Sequence, residues 1–151
     1  MWLAKLISSF LGIGYIVPKG AGTITAAIGC MIWYLVPTQA IDTWVLFFFI
    51  VSLFLIGVWS SSMVEKHWGK DNNKVVVDEL LGICVSLFLL PVTWKYILAS
   101  FLFFRFFDII KPLYIRKAEQ LPSGWGVMTD DLLAGIFTNL LLQLVATLNL
   151  F

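Results

Sequence analysis

Apolar residues run along this chain in long blocks, separated by short polar interruptions. Thr43 to Val64 is the clearest of these blocks and carries no charge, and a helix of that length covers the roughly 30 Å of a bilayer's hydrocarbon core. Before it, Thr23 to Val36 reads as a shorter apolar helix of 14 residues, which at about 1.5 Å per residue spans roughly 21 Å. A loop rich in Gly and Pro, residues 12–22, leads into that helix, and residues 1–11 are amphipathic enough for a short interfacial helix. Pro37 to Asp42 reads as a tight turn, and Glu65 to Lys74 as a polar, Lys-rich loop.

From Leu80 to Phe107 the chain is apolar except around Pro91, Thr93 and Lys95. Two arrangements fit. One is a single kinked helix of 28 residues, roughly 42 Å long; the other is a hairpin of two short helices turning at Pro91 to Trp94. The hairpin is preferred, because the kinked helix would strand Asp78 and Asp108 on opposite sides of a bilayer. A polar loop follows Pro112, and the last helix is predicted from Asp130 to near Phe151. The expected fold is therefore all-α: a polytopic membrane bundle of about four to five apolar helices, with short helices in a hairpin at residues 80–107 and a short N-terminal amphipathic helix. Residues 1–151 leave room for one domain.

Composition turns this pattern into a solvent argument. Sixty per cent of residues are apolar and 13% charged, with a mean hydropathy of +0.94, whereas about a quarter of the residues in soluble domains are charged. The chain reads as an integral membrane protein. A net charge of +1 excludes the basic face that nucleic acid demands. Cys30 and Cys84 lie in apolar runs and read as buried small hydrophobes. Lys5 before an apolar run hints at a signal peptide, but Gly12, Gly14, Pro18 and Gly20 break the run, so the N-terminus is expected to be retained. With the hairpin the chain crosses five times, placing Lys95 on one side and the other nine lysines and arginines on the opposite side. By the positive-inside rule that side is the cytoplasm. Every acid except Asp42 shares it.

Two segments echo one another: Val77-Asp78-Glu79-Leu80-Leu81-Gly82 and Thr129-Asp130-Asp131-Leu132-Leu133-Ala134-Gly135. Each is predicted to put an acid pair at a helix start, with a glycine four residues after an acid on the same face. Glycine there admits another backbone or a ligand beneath the carboxylate. The simpler explanation, that acids favour first turns because of the helix dipole, weakens when two pairs share one side with Asp108. Asp78, Glu79, Asp108, Asp130 and Asp131 could not all ionise close together without cations between them. Oxygen ligands in this number suit Mg2+, which favours a phosphate oxygen as a further ligand. Arg105, Asp108 and Lys111 recur every three residues as a stripe, readable either as an internal ion pair with a snorkelling lysine or as a phosphate clamp. The loop Pro18-Lys19-Gly20-Ala21-Gly22-Thr23 ends at a helix N-terminus, where free N–H groups favour an anion. His67 reads as solvated surface, and neither cysteine has the arginine six residues on that a cysteine phosphatase needs.

The motifs Asp-Glu-Leu-Leu-Gly at 78–82, Phe-Arg-x-x-Asp-x-x-Lys-Pro at 104–112 and Gly-x-Gly-x-Met-x-Asp-Asp-x-x-Ala-Gly at 124–135 resemble those of the phosphatidylglycerophosphatase A family, in order and spacing. The first loop departs from the family's Pro-Lys-Ala-Pro-Gly-Thr-x-Gly-Ser, keeping Gly22-Thr23 but losing the second proline and a glycine. The resemblance implies Mg2+-dependent hydrolysis of phosphatidylglycerophosphate at the cytoplasmic face of a bacterial inner membrane, with a membrane phospholipid as substrate. On that basis Asp78, Asp130 and Asp131 are expected to hold Mg2+, with Glu79 and Asp108 as further ligands or a general base. Arg105, Lys111, Lys19 and the Gly22-Thr23 backbone are expected to bind the phosphate. The competing readings are a CDP-alcohol phosphatidyltransferase, whose longer Asp-x-x-Asp-Gly signature is missing, and a small transporter or structural subunit, which would spread acids through the bilayer.

Overall fold

The structure, a computed structural model, describes residues 1–17, 19–70 and 72–150. Among them are eight α-helices and no strand: α1 Trp2–Ser8, α2 Ile13–Ile16, α3 Ala21–Leu35, α4 Thr43–Trp68, α5 Val77–Leu87, α6 Trp94–Ile110, α7 Leu113–Ala118 and α8 Gly124–Thr147. Two of these, α4 and α8, are long and apolar enough to cross a membrane, and α3 is a shorter apolar helix. Asp42 starts α4 by accepting a hydrogen bond from the Trp44 amide at 2.8 Å. Trp44, Phe48, Phe49, Leu55, Ile56 and Trp59 of α4 all lie exposed. Such an exterior is a liability in water and ordinary against lipid.

The short helix α5 is the hub, packed against α3, α4, α6 and α8, with its widest interface on α8. Nine of its 11 residues are buried. The hairpin forms as expected: α5 ends at Leu87, the chain turns through residues 88–93, and α6 returns. A helix end inside an apolar bundle leaves carbonyls without partners, a costly state. Asn139 of α8 meets this demand, its side-chain amide donating to the carbonyls of Ser86 at 3.1 Å and Phe88 at 2.7 Å. The Ser86 and Ser100 hydroxyls hydrogen-bond each other and tie α5 to α6. Replacing Asn139 with Leu should therefore lower stability by about 1–2 kcal/mol, read as an earlier thermal unfolding midpoint in detergent.

Several expectations need correction, and the loop expected over residues 12–22 contains α2. The helix expected from Asp130 begins six residues earlier, at Gly124, so Asp130 and Asp131 sit well inside α8 rather than in its first turn. The glycines of that added stretch serve close packing: the Gly124 amide donates to Ser62 Oγ at 3.1 Å, and a Cβ at Gly126 would lie 2.7 Å from the Glu119 and Leu121 carbonyl oxygens. The segment after Pro112, expected as loop, contains α7, and His67 lies exposed in the last turn of α4 rather than in a loop. Cys30 and Cys84 are buried, as expected.

Candidate active site

The glycines of the two echoing motifs explain how the acids converge. Gly82 on α5 and Gly135 on α8 face each other so closely that a Cβ on Gly135 would lie 2.6 Å from the Gly82 carbonyl oxygen. One turn N-terminal to each glycine stand Asp78 and Asp131, carried on the same faces. Close passage of two backbones thus brings two carboxylates together. A third joins them: one oxygen each from Asp78, Glu79 and Asp131 lies within 4.8 Å of the others. Asp78 and Asp131 are 8% and 3% exposed. Oδ1 of Asp78, Oδ2 of Asp131 and Oε2 of Glu79 are buried without a hydrogen-bond partner among the described residues. Partnerless buried carboxylate oxygens are expensive. The donor set fits a hard cation: clustered oxygen ligands with free lone pairs.

The other two acids face cations instead. Asp130 accepts from Lys111 Nζ at 2.7 Å through one oxygen and from the Asp131 amide at 2.9 Å through the other. Asp108 pairs with Arg105 at 2.5 Å. Glu79, rather than Asp130, completes the carboxylate cluster. Lys111 does not snorkel away; it bridges Asp130 and Glu119, the latter at 3.0 Å. To do so it takes a left-handed backbone conformation, φ 47°, at the end of α6, unusual for a residue with a side chain. Burial disfavours the Lys111 ammonium, but the carboxylates of Asp130 and Glu119 outweigh it and hold the group above the ordinary lysine range. Lys111 therefore stays cationic at physiological pH. Arg105 keeps a buried Nε–H with no partner, and Lys111 uses two of its three N–H donors, so both retain capacity for an anion.

All five acids line one cavity of about 310 Å³ together with Arg105, Lys111, Lys19 and Gly22. Gly20, at φ 79°, starts α3, and a Cβ on Gly22 would overlap the Glu79 carboxylate, so the glycine lets the α3 N-terminus approach the cluster. Thr23 is exposed and does not line the cavity; Pro18 lies outside the described residues. Sequence reasoning missed Asn72 and Asn73, which form part of the wall. Neutral amides in a polar loop carry no charge pattern to reveal them.

Comparisons with known proteins place the chain in a family. The family model for phosphatidylglycerophosphatase A matches residues 6–146. A Bacteroides thetaiotaomicron protein, provisionally named a phosphatidylinositol-3-phosphatase, is 36% identical over 148 residues, covering 93% of this chain and 92% of its own length. Phosphatidylglycerophosphatase A of Escherichia coli is 32% identical over 141 residues, 91% of this chain and 78% of that protein. The Haemophilus influenzae protein of that name is 41% identical over 87 residues, 56% of this chain and 53% of that protein. No solved structure matches the chain. The family match and the named relatives make this chain an enzyme, and the class is a phosphatase. More narrowly, the chain belongs to the phosphatidylglycerophosphatase A family.

Proposed function

We propose that this enzyme hydrolyses the terminal phosphomonoester of phosphatidylglycerophosphate, releasing phosphatidylglycerol and inorganic phosphate, with Mg2+ as cofactor. The observation that carries the reading is the cluster of Asp78, Glu79 and Asp131, with partnerless buried oxygens, opposite Arg105 and Lys111 in one cavity. Asp78, Glu79 and Asp131 would hold the ion. When bound, Mg2+ supplies neutralisation of phosphoryl charge and activation of water. The Nε–H of Arg105 and the remaining N–H of Lys111 donate to phosphoryl oxygens, charge-assisted bonds roughly twice as strong as neutral ones. Asp108 and Asp130 orient those two cations, and Asp130 with Glu119 keeps Lys111 protonated. Gly22 brings the first amides of α3 toward the same space, and Lys19 stands at its rim.

The reading extends to location. With five crossings, counting α3, α5 and α6 with the two longer helices, the cavity would lie at headgroup depth on the cytoplasmic side of a bacterial inner membrane, a reading supported by the bias of nine basic residues to one. A two-chain phospholipid then lies beside apolar helix walls while its phosphate enters the cavity. The Bacteroides relative's name favours a second reading, an inositol-phosphate headgroup on the same lipid framework. Purified enzyme in micelles decides between them: phosphate release should be faster from phosphatidylglycerophosphate than from a phosphatidylinositol phosphate. Release should stop with EDTA and return with Mg2+. No release from phosphatidylglycerophosphate by folded enzyme with Mg2+ present defeats the leading reading.

A further inference from the structure

The chemistry described so far uses charged side chains and backbone amides, yet the lipid headgroup between phosphodiester and phosphomonoester carries a neutral hydroxyl. Among the cavity's lining residues the only neutral polar side chains are Asn72 and Asn73, both on the connector between α4 and α5. Asn72 is already committed: its Nδ2 donates to the Trp68 carbonyl at 2.8 Å, and its Oδ1 accepts from the Lys74 amide at 3.1 Å. Asn73 is exposed at the cavity wall, and no protein hydrogen bond among the described residues engages its amide. An amide offers a donor and an acceptor side by side, the combination a hydroxyl uses.

The connector is held in place from outside the cavity. Lys74 Nζ lies 5.3 Å from the Tyr15 ring centroid and 5.7 Å from that of Trp68, and the two rings meet edge to face at 5.4 Å. A cation over paired rings is an attractive clamp. Beneath it, a Cβ on Gly14 would overlap the Lys74 carbonyl oxygen, so the glycine in α2 seats the connector directly on that helix. The Val76 amide donates to the Ser8 carbonyl at 2.8 Å, fixing the far end. An exposed polar loop would otherwise sample many conformations; this one is braced at Trp68, Tyr15, Gly14 and Ser8.

We infer that Asn73 forms a polyol-recognising subsite at the cavity wall, hydrogen-bonding a free hydroxyl of the lipid headgroup, and that Lys74 is its positioning residue. This rests on the proposed lipid phosphatase activity. Glycerol in phosphatidylglycerophosphate presents one free hydroxyl, so removing either that hydroxyl or the Asn73 amide should cost the same hydrogen bond.

The test compares phosphatidylglycerophosphate with its deoxy analogue, in which 1,3-propanediol replaces the headgroup glycerol, in micelles with Mg2+. Wild-type enzyme should favour the natural lipid by about three- to tenfold in kcat/KM, the range of one such bond. Asn73→Ala should lose that factor on the natural lipid and hydrolyse the two lipids equally, with KM carrying the change. Lys74→Met should erase the same preference, and Lys74→Arg, whose guanidinium also stacks on aromatic rings, should restore it. Equal penalties on both lipids for Asn73→Ala, or a wild type indifferent to the hydroxyl, overturn the assignment. A folded wild type that hydrolyses neither lipid defeats the underlying activity instead, and the subsite with it.

Discussion

Replacing Asp131 with Asn is expected to reduce phosphate release by at least about a hundredfold, since it takes one anionic oxygen from a three-carboxylate cation site. Asn matches Asp in size, so the packing around a residue only 3% exposed is kept while its charge is lost. The variant should fold normally and need more Mg2+ for half-maximal residual rate. Asp42→Asn provides the contrast. Asp42 caps α4, outside the cavity, and Asn caps a helix as well as Asp does. Its rate should stay within about twofold of wild type, a margin too small to reflect any lost hydrogen bond to substrate. Equal rates for the two variants, measured as phosphate release from micellar lipid, would separate the carboxylate cluster from the activity.

The second large effect is expected without touching a charged residue. Gly135→Ala puts a methyl group 2.6 Å from the Gly82 carbonyl oxygen and 3.0 Å from Val85 Cβ, too close for either backbone to remain where it is. Forcing α5 and α8 apart should cost about 1–3 kcal/mol as overpacking. It also spreads Asp78 from Asp131. Misplacing catalytic groups by about an ångström can cost on the order of a hundredfold, so kcat should fall at least about tenfold even where the variant remains folded. Leu140→Ala, on the exposed face of the same helix, should leave the rate unchanged. A fully active Gly135→Ala would mean that the glycine contact does not set the geometry of the acids.

The parts legible in the sequence were those written in charge and in long apolar runs. Residues 43–64 announce α4 by composition alone, and the requirement that Asp78 and Asp108 share a side selects the hairpin over a kinked helix. All five acids, with Arg105, Lys111, Lys19 and Gly22, do meet around one cavity. What escaped the pattern depends on tertiary contact. Gly124 and Gly126 look like loop residues until the neighbouring Ser62 and Glu119 backbones need their missing side chains. That Lys111 pairs with Asp130 and Glu119 follows from the turn at its own position, whose left-handed backbone no spacing rule foretells. Of the Gly22-Thr23 backbone expected at the phosphate, Gly22 lines the cavity while Thr23 is exposed and does not. Asn139 reads as one polar residue in an apolar helix until the open end of α5 appears beside it.

The cavity has a double origin: its acids and clamp residues ride on helices and the end of α6, while Asn72, Asn73 and Lys19 belong to connectors. On the proposed reading, hydrolytic machinery and molecular taste are inherited through separate pieces of chain. A lineage could therefore trade one polyol for another by rewriting a few loop codons, leaving the interlocked glycines and the cation seat untouched.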